Sequence, residues 1–245
     1  MHDTSFTIMT ANVAAGLAPV SSIAAAIRAG SPDIVALVEL PRDEAEQLDE
    51  MLAAWYPYTV FIADRNEGRG LLSRFPVRDY RPVEVASGRP DLVSSIAMPG
   101  QDLTVVVAHP RPQRVTRTGL LFSFSSLRQM MHLARIASDR APAVLLGDLN
   151  MSPRHPGYRR LVRMGLQDAW TASNHVRGST FPTRIGHTRF SGSHLARRRV
   201  PPVVRFDYIW CTKEIAVQDA WIGPDTGSDH ASVLARLSLP DIPIG

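Results

Sequence analysis

Several apolar stretches of this sequence end at a polar residue of a kind that binds ligands or transfers protons. The strand ends of α/β folds border the crevice where ligands usually bind, and carboxylates and histidines are common acid/base groups. One carboxylate after a strand is more often a helix cap or a turn residue, so it is the joint pattern that predicts a functional site. The candidate residues are Asn12, Glu39, His109, Asp148, Asn150, Asp207, Asp229 and His230.

The first of these residues follow predicted strands in the N-terminal part of the chain. Phe6 to Asn12 alternates apolar and small polar residues, which indicates a strand. A helix is expected to follow, with Pro19 in its first turn and Gly30 as its C-terminal stop. Ile34 to Val38 is a continuous apolar run, as expected of a strand buried on both faces, and Glu39 comes directly after it.

The pattern of a predicted strand that ends at a polar residue recurs further along the chain. Leu103 to Ala108 reads as a strand that ends at His109, and Ala143 to Gly147 as a strand that ends at Asp148. A helix is predicted between them, near Ser125 to Arg140.

The C-terminal part predicts two more strands after a long irregular stretch. In the segment from Arg205 to Trp210, every second residue is aromatic, and Asp207 lies between two of these aromatic residues. A strand there places the aromatic side chains on one face and Asp207 on the other. Ser232 to Leu237 reads as the last strand. Ser179 to Pro202 is rich in Arg, Gly, Pro and Ser without sustained periodicity, and we expect a surface loop there.

The length, composition and charge of the chain limit the kinds of protein that it can be. With 245 residues, 44% of them hydrophobic, the chain can bury one sizeable core, and we expect a single domain over residues 1–245. The net charge of +4 is too small to demand a nucleic-acid partner. Lys213 is the one lysine, so nearly all cations are arginines, which pair well with phosphate; a genome rich in G and C produces the same bias.

Cysteine content and hydropathy exclude other classes. Cys211 is the sole cysteine, which excludes an intramolecular disulfide and a multi-cysteine zinc site. No window approaches the roughly 18 apolar residues that span a bilayer, and no basic segment precedes an apolar stretch at the N-terminus. We expect a cytoplasmic protein with no transmembrane segment and no obligate protein partner.

Seven short motifs carry the candidate residues along the chain. In order they are Thr10-Ala11-Asn12, Leu37-Val38-Glu39, Gly70-Leu71-Leu72-Ser73-Arg74-Phe75-Pro76, His109-Pro110, Gly147-Asp148-Leu149-Asn150, Phe206-Asp207-Tyr208-Ile209 and Ser228-Asp229-His230. In this order and spacing they resemble the endonuclease/exonuclease/phosphatase (DNase I-like) superfamily, in particular its small bacterial members. The resemblance runs from near the N-terminus to Leu237, and Thr180-Phe181-Pro182 fits it too.

The resemblance implies an α/β fold, a four-layer sandwich of two mixed β-sheets flanked by helices. It also implies divalent-metal-dependent hydrolysis of a phosphodiester bond. Glu39 matches the metal-binding glutamate, and Asn12 and Asp229 match residues near the metal. Hard oxygen ligands suit Mg²⁺, with Mn²⁺ as an alternative.

The remaining matches concern proton transfer and phosphate contacts. His230 matches the catalytic histidine, and Asp207 the carboxylate that orients it. Asp148 matches a group that positions or deprotonates the attacking water, and whether it or His230 is the general base stays open. His109 matches a second histidine that contacts the phosphate or assists the leaving group, and Asn150, like Asn12, matches an asparagine that orients metal and phosphate.

The sequence departs from the family pattern at two places. Val38 stands where a glutamine usually precedes the metal-binding glutamate, which removes at most a supporting hydrogen bond. Ala231-Ser232 stands where Arg-Pro usually follows the final histidine. The second change affects the choice of substrate more than the class of reaction.

Two arginine-rich stretches are candidates for substrate binding. Arg111 and Arg114 precede an apolar cluster, Leu120 to Phe124, and these groups fit phosphates or lipid respectively; packing of the cluster as the first turns of the next helix is the favoured alternative. Arg184 and Arg189 lie in the second stretch, which is either a phosphate-binding loop or a solvated one.

Three functions therefore remain open. The first is a nuclease that acts on DNA or RNA, the second a phospholipid or small phosphoester hydrolase of sphingomyelinase or phosphatase type, and the third a noncatalytic binding module. The third is disfavoured because every metal and acid/base position is present. No G-x-S-x-G or G-x-x-x-x-G-K-[ST] motif occurs, so serine-hydrolase and nucleotide-driven chemistry have no support.

Overall fold

The computed structural model describes residues 4–62, 67–85, 89–112, 114–116, 119–121, 124–174, 178–185 and 198–240, with the backbone alone for 114–116 and 119–121. These residues form sixteen strands and five helices. The strands are β1 (Thr4–Asn12), β2 (Ile34–Leu40), β3 (Tyr58–Ile62), β4 (Gly68–Ser73), β5 (Val77–Val83), β6 (Asp91–Met98), β7 (Gln101–Val107), β8 (Arg114–Thr116), β9 (Gly119–Leu121), β10 (Ala143–Asp148), β11 (Gln167–Asp168), β12 (Arg184–Ile185), β13 (Arg198–Arg199), β14 (Asp207–Cys211), β15 (Ala216–Ile222) and β16 (Val233–Leu239). The helices are α1 (Val20–Gly30), α2 (Arg42–Leu52), α3 (Phe124–Asp139), α4 (Pro156–Arg163) and α5 (Ala169–Ala172).

Twelve of these strands form two six-stranded sheets. The first has the order β15-β16-β1-β2-β4-β3 and the second the order β11-β14-β10-β7-β6-β5. Each sheet has one parallel pair, β1 with β2 and β7 with β10, among antiparallel neighbours. The expected mixed sheets are thus confirmed.

The two sheets face each other across a shared apolar core. Ile8 and Ala36 from the first sheet pack in one cluster with Val105, Val144 and Ile209 from the second. Helices α1 and α2 cover the outer face of the first sheet, and α3 and α4 cover that of the second. The layers are therefore helix, sheet, sheet and helix, which confirms the predicted four-layer α/β sandwich.

The first helix follows the predicted boundaries with small differences at both ends. Pro19 precedes α1 as its N-cap instead of lying inside the first turn, and Gly30 is the last helical residue. Ser31 takes the left-handed conformation beyond it, with φ of 44°, and its N–H donates to the carbonyl of Ile27. The chain thus ends the helix one residue later than the glycine signal indicates.

The predicted loop over residues 179–202 contains more pairing than its composition indicates. β12 pairs with β13 in an antiparallel ribbon, and Phe181 forms a bridge with Val204. Residues 186–197 lie outside the described residues. The ribbon and bridge hold this stretch against the start of β14.

Membrane-spanning helices are not found among the described residues: no helix there has both the length and the apolarity to cross a bilayer.

Candidate active site

The sheet topology brings the predicted polar residues to one edge of the sandwich. Asn12 ends β1, Glu39 lies near the end of the parallel strand β2, and Asp148 ends β10. β14 runs antiparallel to β10, so its first residue, Asp207, lies opposite Asp148 in the register. His230 precedes β16, which is antiparallel to β1 and therefore starts at the same edge.

Glu39 lies in a β-bulge that turns its side chain toward this edge. The register shifts between Val38 and Leu40, and Glu39 has a positive φ of 54°. Bulges of this kind redirect a side chain. Asn12 Nδ2 donates hydrogen bonds to Glu39 Oε1 and to Asp148 Oδ2, both at 3.0 Å, and burial raises the pKa of Glu39 while this hydrogen bond opposes the rise.

Asn12 presents its amide N–H groups, and not its oxygen, to the two carboxylates. Its Oδ1 accepts a hydrogen bond from the backbone N–H of Ala14 at 2.9 Å. In this orientation Asn12 fixes the positions of Glu39 and Asp148.

Asp148 is buried at the end of β10, where the chain makes a tight approach to its neighbour. Gly147 has φ of +137°, and a Cβ there would lie 2.0 Å from the carbonyl oxygen of Ala108. Asp148 Oδ1 accepts a hydrogen bond from the backbone N–H of Asn150 at 2.8 Å. Burial raises the pKa of Asp148 to about 7, although the neighbouring His230 lowers it.

His230 and Asp207 form a buried hydrogen-bonded pair. His230 Nδ1 lies 2.9 Å from Asp207 Oδ2, and His230 Nε2 lies 3.8 Å from Asp148 Oδ2. Burial lowers the pKa of His230, but the charges of Asp207 and Asp148 outweigh it and raise the pKa to about 10. The pair therefore holds the imidazole protonated, with Nε2 directed at Asp148.

Two residues of the Thr180-Phe181-Pro182 segment support this pair. The hydroxyl oxygen of Thr180 accepts hydrogen bonds from the backbone N–H groups of Phe206 and Asp207. The ring of Phe181 packs on the imidazole of His230, with centroids 4.6 Å apart. The segment thus fixes both the start of β14 and the plane of the histidine ring.

The buried ion pair of Arg69 and Asp91 positions the backbone of His109. The backbone N–H of His109 donates to Asp91 Oδ1 at 2.9 Å, and Arg69 donates to its carbonyl oxygen at 3.3 Å. Arg69 and Asp91 are themselves 3.8 Å apart and almost fully buried, and Gln129 donates to Asp91 Oδ2. These contacts fix the backbone of His109 at the floor of the site.

The imidazole of His109 faces the carboxylates. Its Nε2 lies 3.5 Å from Glu39 Oε1 and 3.7 Å from Asp148 Oδ2, and its buried Nδ1 has no hydrogen-bond partner among the described residues. Burial, followed by the charges of Arg69 and Arg89, lowers the pKa of His109 well below the ordinary value. His109 is therefore neutral, in contrast to His230.

Glu39, His109, Asp148 and His230 line one cavity of about 340 Å³. Asp229 and Glu67 add two carboxylates to its wall, Phe181 adds an aromatic ring, and Arg89 adds a cation. Arg89 forms an ion pair with Glu67. The cavity therefore combines an acidic floor with one arginine at its side.

The donor set fits a hard divalent cation. Glu39, His109 and Asp148 offer ligand atoms that all lie within 4.8 Å of one another. Asp148, Asp207 and His230 are equally close together, but the protonated imidazole of His230 has no lone pair to give a metal. One oxygen of Asp207, Oδ1, is buried with no hydrogen-bond partner among the described residues. Carboxylate-rich sites of this kind suit Mg²⁺ or Mn²⁺.

Of the arginines predicted to bind substrate, the two whose side chains are described, Arg111 and Arg184, do not line this cavity. Arg111 is exposed and borders a separate small recess next to Asn150. Arg184 donates to Asp225 Oδ2 at 2.6 Å and to the carbonyl oxygen of Ser228 at 2.5 Å, so it braces the segment before His230. The side chain of Arg114 and the whole of Arg189 lie outside the described residues.

Sequence reasoning missed the supporting residues Arg69, Asp91, Gln129 and Arg89. Arg69 and Asp91 lie inside or at the start of strands, where a polar residue signals neither a strand end nor a motif. Arg89 is one of many arginines, and its position on the cavity follows only from the packing of the segment before β6. One signal was available in the sequence: Asp91 comes directly before the apolar residues Leu92 and Val93. An aspartate in a buried strand needs hydrogen-bond or charge partners, so this position indicates a supporting contact.

Comparison with protein families identifies one that covers most of the chain. The sequence profile of the Endonuclease/Exonuclease/phosphatase family matches residues 9–230. No curated protein matches the chain.

Solved structures share the fold at low sequence identity. An endonuclease/exonuclease/phosphatase from Beutenbergia cavernae DSM 12333 has a TM-score of 0.70 at 23% identity, covering 98% of this chain and 73% of that one. A family protein from Bacteroides thetaiotaomicron has a TM-score of 0.73 at 17% identity, covering 98% and 100%. D. rerio TDP2, complexed with single strand DNA product, has a TM-score of 0.72 at 15% identity, covering 96% and 99%.

Proposed function

The chain belongs to the endonuclease/exonuclease/phosphatase family, and we propose that it is a nuclease that hydrolyses phosphodiester bonds of DNA or RNA. Metal-dependent phosphodiester hydrolysis is the general reaction that the family and its structural relatives support, and the chain is a hydrolase of this kind. Nucleic acid as the substrate, Mg²⁺ as the metal and the roles of single residues are our proposals.

One observation carries the proposal: Asp207, buried behind the ring, contacts His230, and His230 and Asp148 line the same cavity as Glu39. An orienting carboxylate, a histidine and a second carboxylate next to a cation-binding group are the parts that phosphodiester hydrolysis needs. A structural role alone does not require two buried carboxylates to face one another across a histidine, because each buried charge costs free energy.

Glu39 is the residue that would hold the cation, with Asp229 as a second carboxylate on the cavity wall. When bound, Mg²⁺ stabilises the negative charge that develops on the phosphate oxygens. Asn12 holds the Glu39 and Asp148 carboxylates in place through its amide N–H groups. Second-shell hydrogen bonds of this type keep metal-binding groups oriented.

The chain's own residues divide the proton transfers between them. Asp148, whose pKa lies at about 7, is suited to accept a proton from the attacking water. His230, held protonated by Asp207 and Asp148, donates a hydrogen bond to a phosphate oxygen and offsets its charge. His109 is neutral and contributes an N–H without a net charge, which limits repulsion of the cation.

Two further features support a nucleic-acid substrate. Arg89 places a cation on the wall of an otherwise acidic cavity, where it can pair with a phosphate oxygen. Phe181 places an aromatic ring beside the catalytic histidine, where a base or sugar can pack. A relative of the same fold, D. rerio TDP2, was solved with a single strand DNA product.

A substrate panel tests the proposal. The purified protein is given Mg²⁺ and plasmid DNA, single-stranded DNA, RNA, sphingomyelin vesicles or p-nitrophenyl phosphate, and initial rates are followed at several salt concentrations. We expect turnover of a nucleic acid, with a rate that falls steeply as salt rises because phosphate contacts release counterions. Turnover of sphingomyelin or p-nitrophenyl phosphate alone would overturn the choice of nucleic acid.

A phospholipid hydrolase is the second candidate, and one observation favours it. Phe124, at the start of α3, is 89% exposed, and an exposed apolar residue of this size can insert into a lipid surface. The side chains of Leu120 to Phe122 lie outside the described residues. Binding to neutral vesicles that survives high salt and is lost in Phe124→Ser would support this candidate.

A further inference from the structure

A second, larger cavity lies beside the catalytic one. It has a volume of about 900 Å³. Its walls come from the loop after β10, from α4 and α5, from the segment just before Thr180, and from the segment just before β14. The proposed mechanism uses none of its residues. The lining includes Arg154, Tyr158, Trp170, Ser179, Val203 and Arg205.

The two cavities adjoin along two segments of chain. Asn150 lines the catalytic cavity and Ser152 the second one, and in the other segment Phe181 lines the first and Ser179 the second. Two residues of extended chain span at most about 7 Å. The two cavities therefore lie close enough for neighbouring nucleotides of one strand to occupy both.

The electrostatic character of the two cavities differs. The catalytic cavity is lined by four carboxylates, Glu39, Glu67, Asp148 and Asp229, whereas no acidic residue appears among the described residues that line the second. Asp168 lies beneath it, but this carboxylate is buried and binds Arg205 and the hydroxyl of Tyr158.

Arg154 leaves a positive charge available in the second cavity. It is exposed, and no ion pair joins it to an acidic residue within the described part of the chain. Arginine in this situation pairs readily with phosphate. Half-buried Tyr158 and Trp170, which is 8% exposed, also line this cavity, and the exposed parts of their rings offer apolar surface to a base or sugar.

We infer that the second cavity binds the nucleotide next to the scissile phosphate, with Arg154 on its phosphate and the Tyr158 and Trp170 wall against its base or sugar. This inference rests on the proposed nuclease function, since it assumes that the ligand at the catalytic site is a nucleic-acid strand. It assigns the second cavity to strand binding and the first to bond cleavage.

The test uses two variants of the second cavity and one matched control. Arg154→Ala removes the free cation, and Val203→Glu adds a carboxylate at a position that is 79% exposed, where folding is not at risk. Arg163→Ala removes the same charge from the exposed end of α4, outside the cavity. Two readouts are taken: fluorescence anisotropy of a labelled single-stranded oligodeoxynucleotide in EDTA, and KM and kcat for the oligonucleotide and for bis-p-nitrophenyl phosphate with Mg²⁺.

We expect Arg154→Ala and Val203→Glu to weaken oligonucleotide binding about three- to tenfold, and Arg154→Ala to reduce the salt slope of log Kd by about 0.7. KM for the oligonucleotide should rise in parallel. The small diester carries no second phosphate for Arg154 to bind, so its KM and kcat should stay at the wild-type values in all three variants.

The outcomes separate the two claims. If both cavity variants bind and cleave the oligonucleotide as the wild type and Arg163→Ala do, the assignment of the second cavity is overturned while the nuclease function stands. If neither the wild type nor any variant hydrolyses either diester, the proposed function fails. Weaker oligonucleotide binding by Arg154→Ala and Val203→Glu alone, measured by anisotropy, would in that case still support strand binding by the second cavity. Arg154-dependent binding to anionic vesicles, without oligonucleotide binding, would contradict the assignment.

Discussion

Asp148 and His230 depend on each other for their protonation. Burial favours a neutral carboxyl at Asp148 and a neutral imidazole at His230, but the two groups lie 3.8 Å apart and Asp207 holds the far side of the ring. The attraction therefore keeps a protonated histidine beside a carboxylate whose pKa is about 7. Groups whose environments move their pKa values apart are suited to acid and base roles.

The orienting role of Asp207 leads to a kinetic prediction. Asp207→Asn keeps the size of the side chain but removes the charge that holds His230 protonated. We expect kcat to fall by roughly 10²- to 10⁴-fold with little change in KM, measured by steady-state hydrolysis of bis-p-nitrophenyl phosphate. Asp102→Asn, in an exposed ion pair with Arg78, is the control. A kcat for Asp207→Asn equal to that of the control would refute the role.

The raised pKa values of Glu39 and Asp148 predict that metal binding depends on pH. Protons compete with the cation for Glu39, and protonation of Asp148 removes a nearby negative charge, because burial raises both pKa values and brings that of Asp148 to about 7. The apparent affinity for Mn²⁺ should therefore fall as pH drops through this value and level off above it. Isothermal titration calorimetry on both sides of neutrality measures the change, and Glu39→Gln should bind weakly throughout. An affinity that is constant with pH would argue against these carboxylates as the metal site.

The turn at the end of β10 positions Asp148, and it depends on a glycine. At Gly147, φ of +137° and the approach of the Ala108 carbonyl both exclude a side chain. We expect Gly147→Ala to lower the free energy of unfolding by at least about 3 kcal/mol, measured by urea denaturation. Gly100→Ala, with φ of +82° but no atom within 4 Å of the new Cβ, should cost only about 1–2 kcal/mol. Equal losses in the two variants would show that the close approach does not constrain the turn.

The elements that carry the site were predictable because their signals are local. The apolar runs that end at Asn12, His109 and Asp148 lie in strands near the expected bounds, and the alternation around Asp207 placed Tyr208 and Ile209 on opposite faces, in separate core clusters. Strand periodicity and the polar residue that ends each run both lie within a few residues of sequence.

The features that were not predicted depend on contacts between distant segments. The sequence around Glu39 reads as a strand followed by a polar residue, and the bulge follows only from its pairing with β4. The buried ion pair of Arg69 and Asp91 joins β4 to β6. Arg184 forms a hydrogen bond with Asp225, some forty residues away in the sequence. Charge patterns in the sequence do not specify which partner a long arginine side chain reaches.

At the scale of the whole molecule, the two sheets are joined by one core. Phe6 and Val38 from the first sheet and Leu92 and Leu146 from the second lie in the same cluster, so neither sheet can expose its inner face without exposing that of the other. We propose one cooperative folding unit over residues 1–245. Scanning calorimetry should show one transition with equal calorimetric and van't Hoff enthalpies. Two resolved transitions would contradict a single unit.

The central claim is that Asp148 and His230 cleave phosphodiester bonds with the help of a divalent cation. Its most direct test is the initial rate of single-stranded DNA cleavage with Mg²⁺ and with EDTA, for the wild type, for His230→Ala, and for His132→Ala as an exposed histidine control on α3. We expect cleavage by the wild type and His132→Ala, loss in EDTA, and a rate at least about 10³-fold lower in His230→Ala. Cleavage by His230→Ala at the wild-type rate, or a rate unaffected by EDTA, would contradict it.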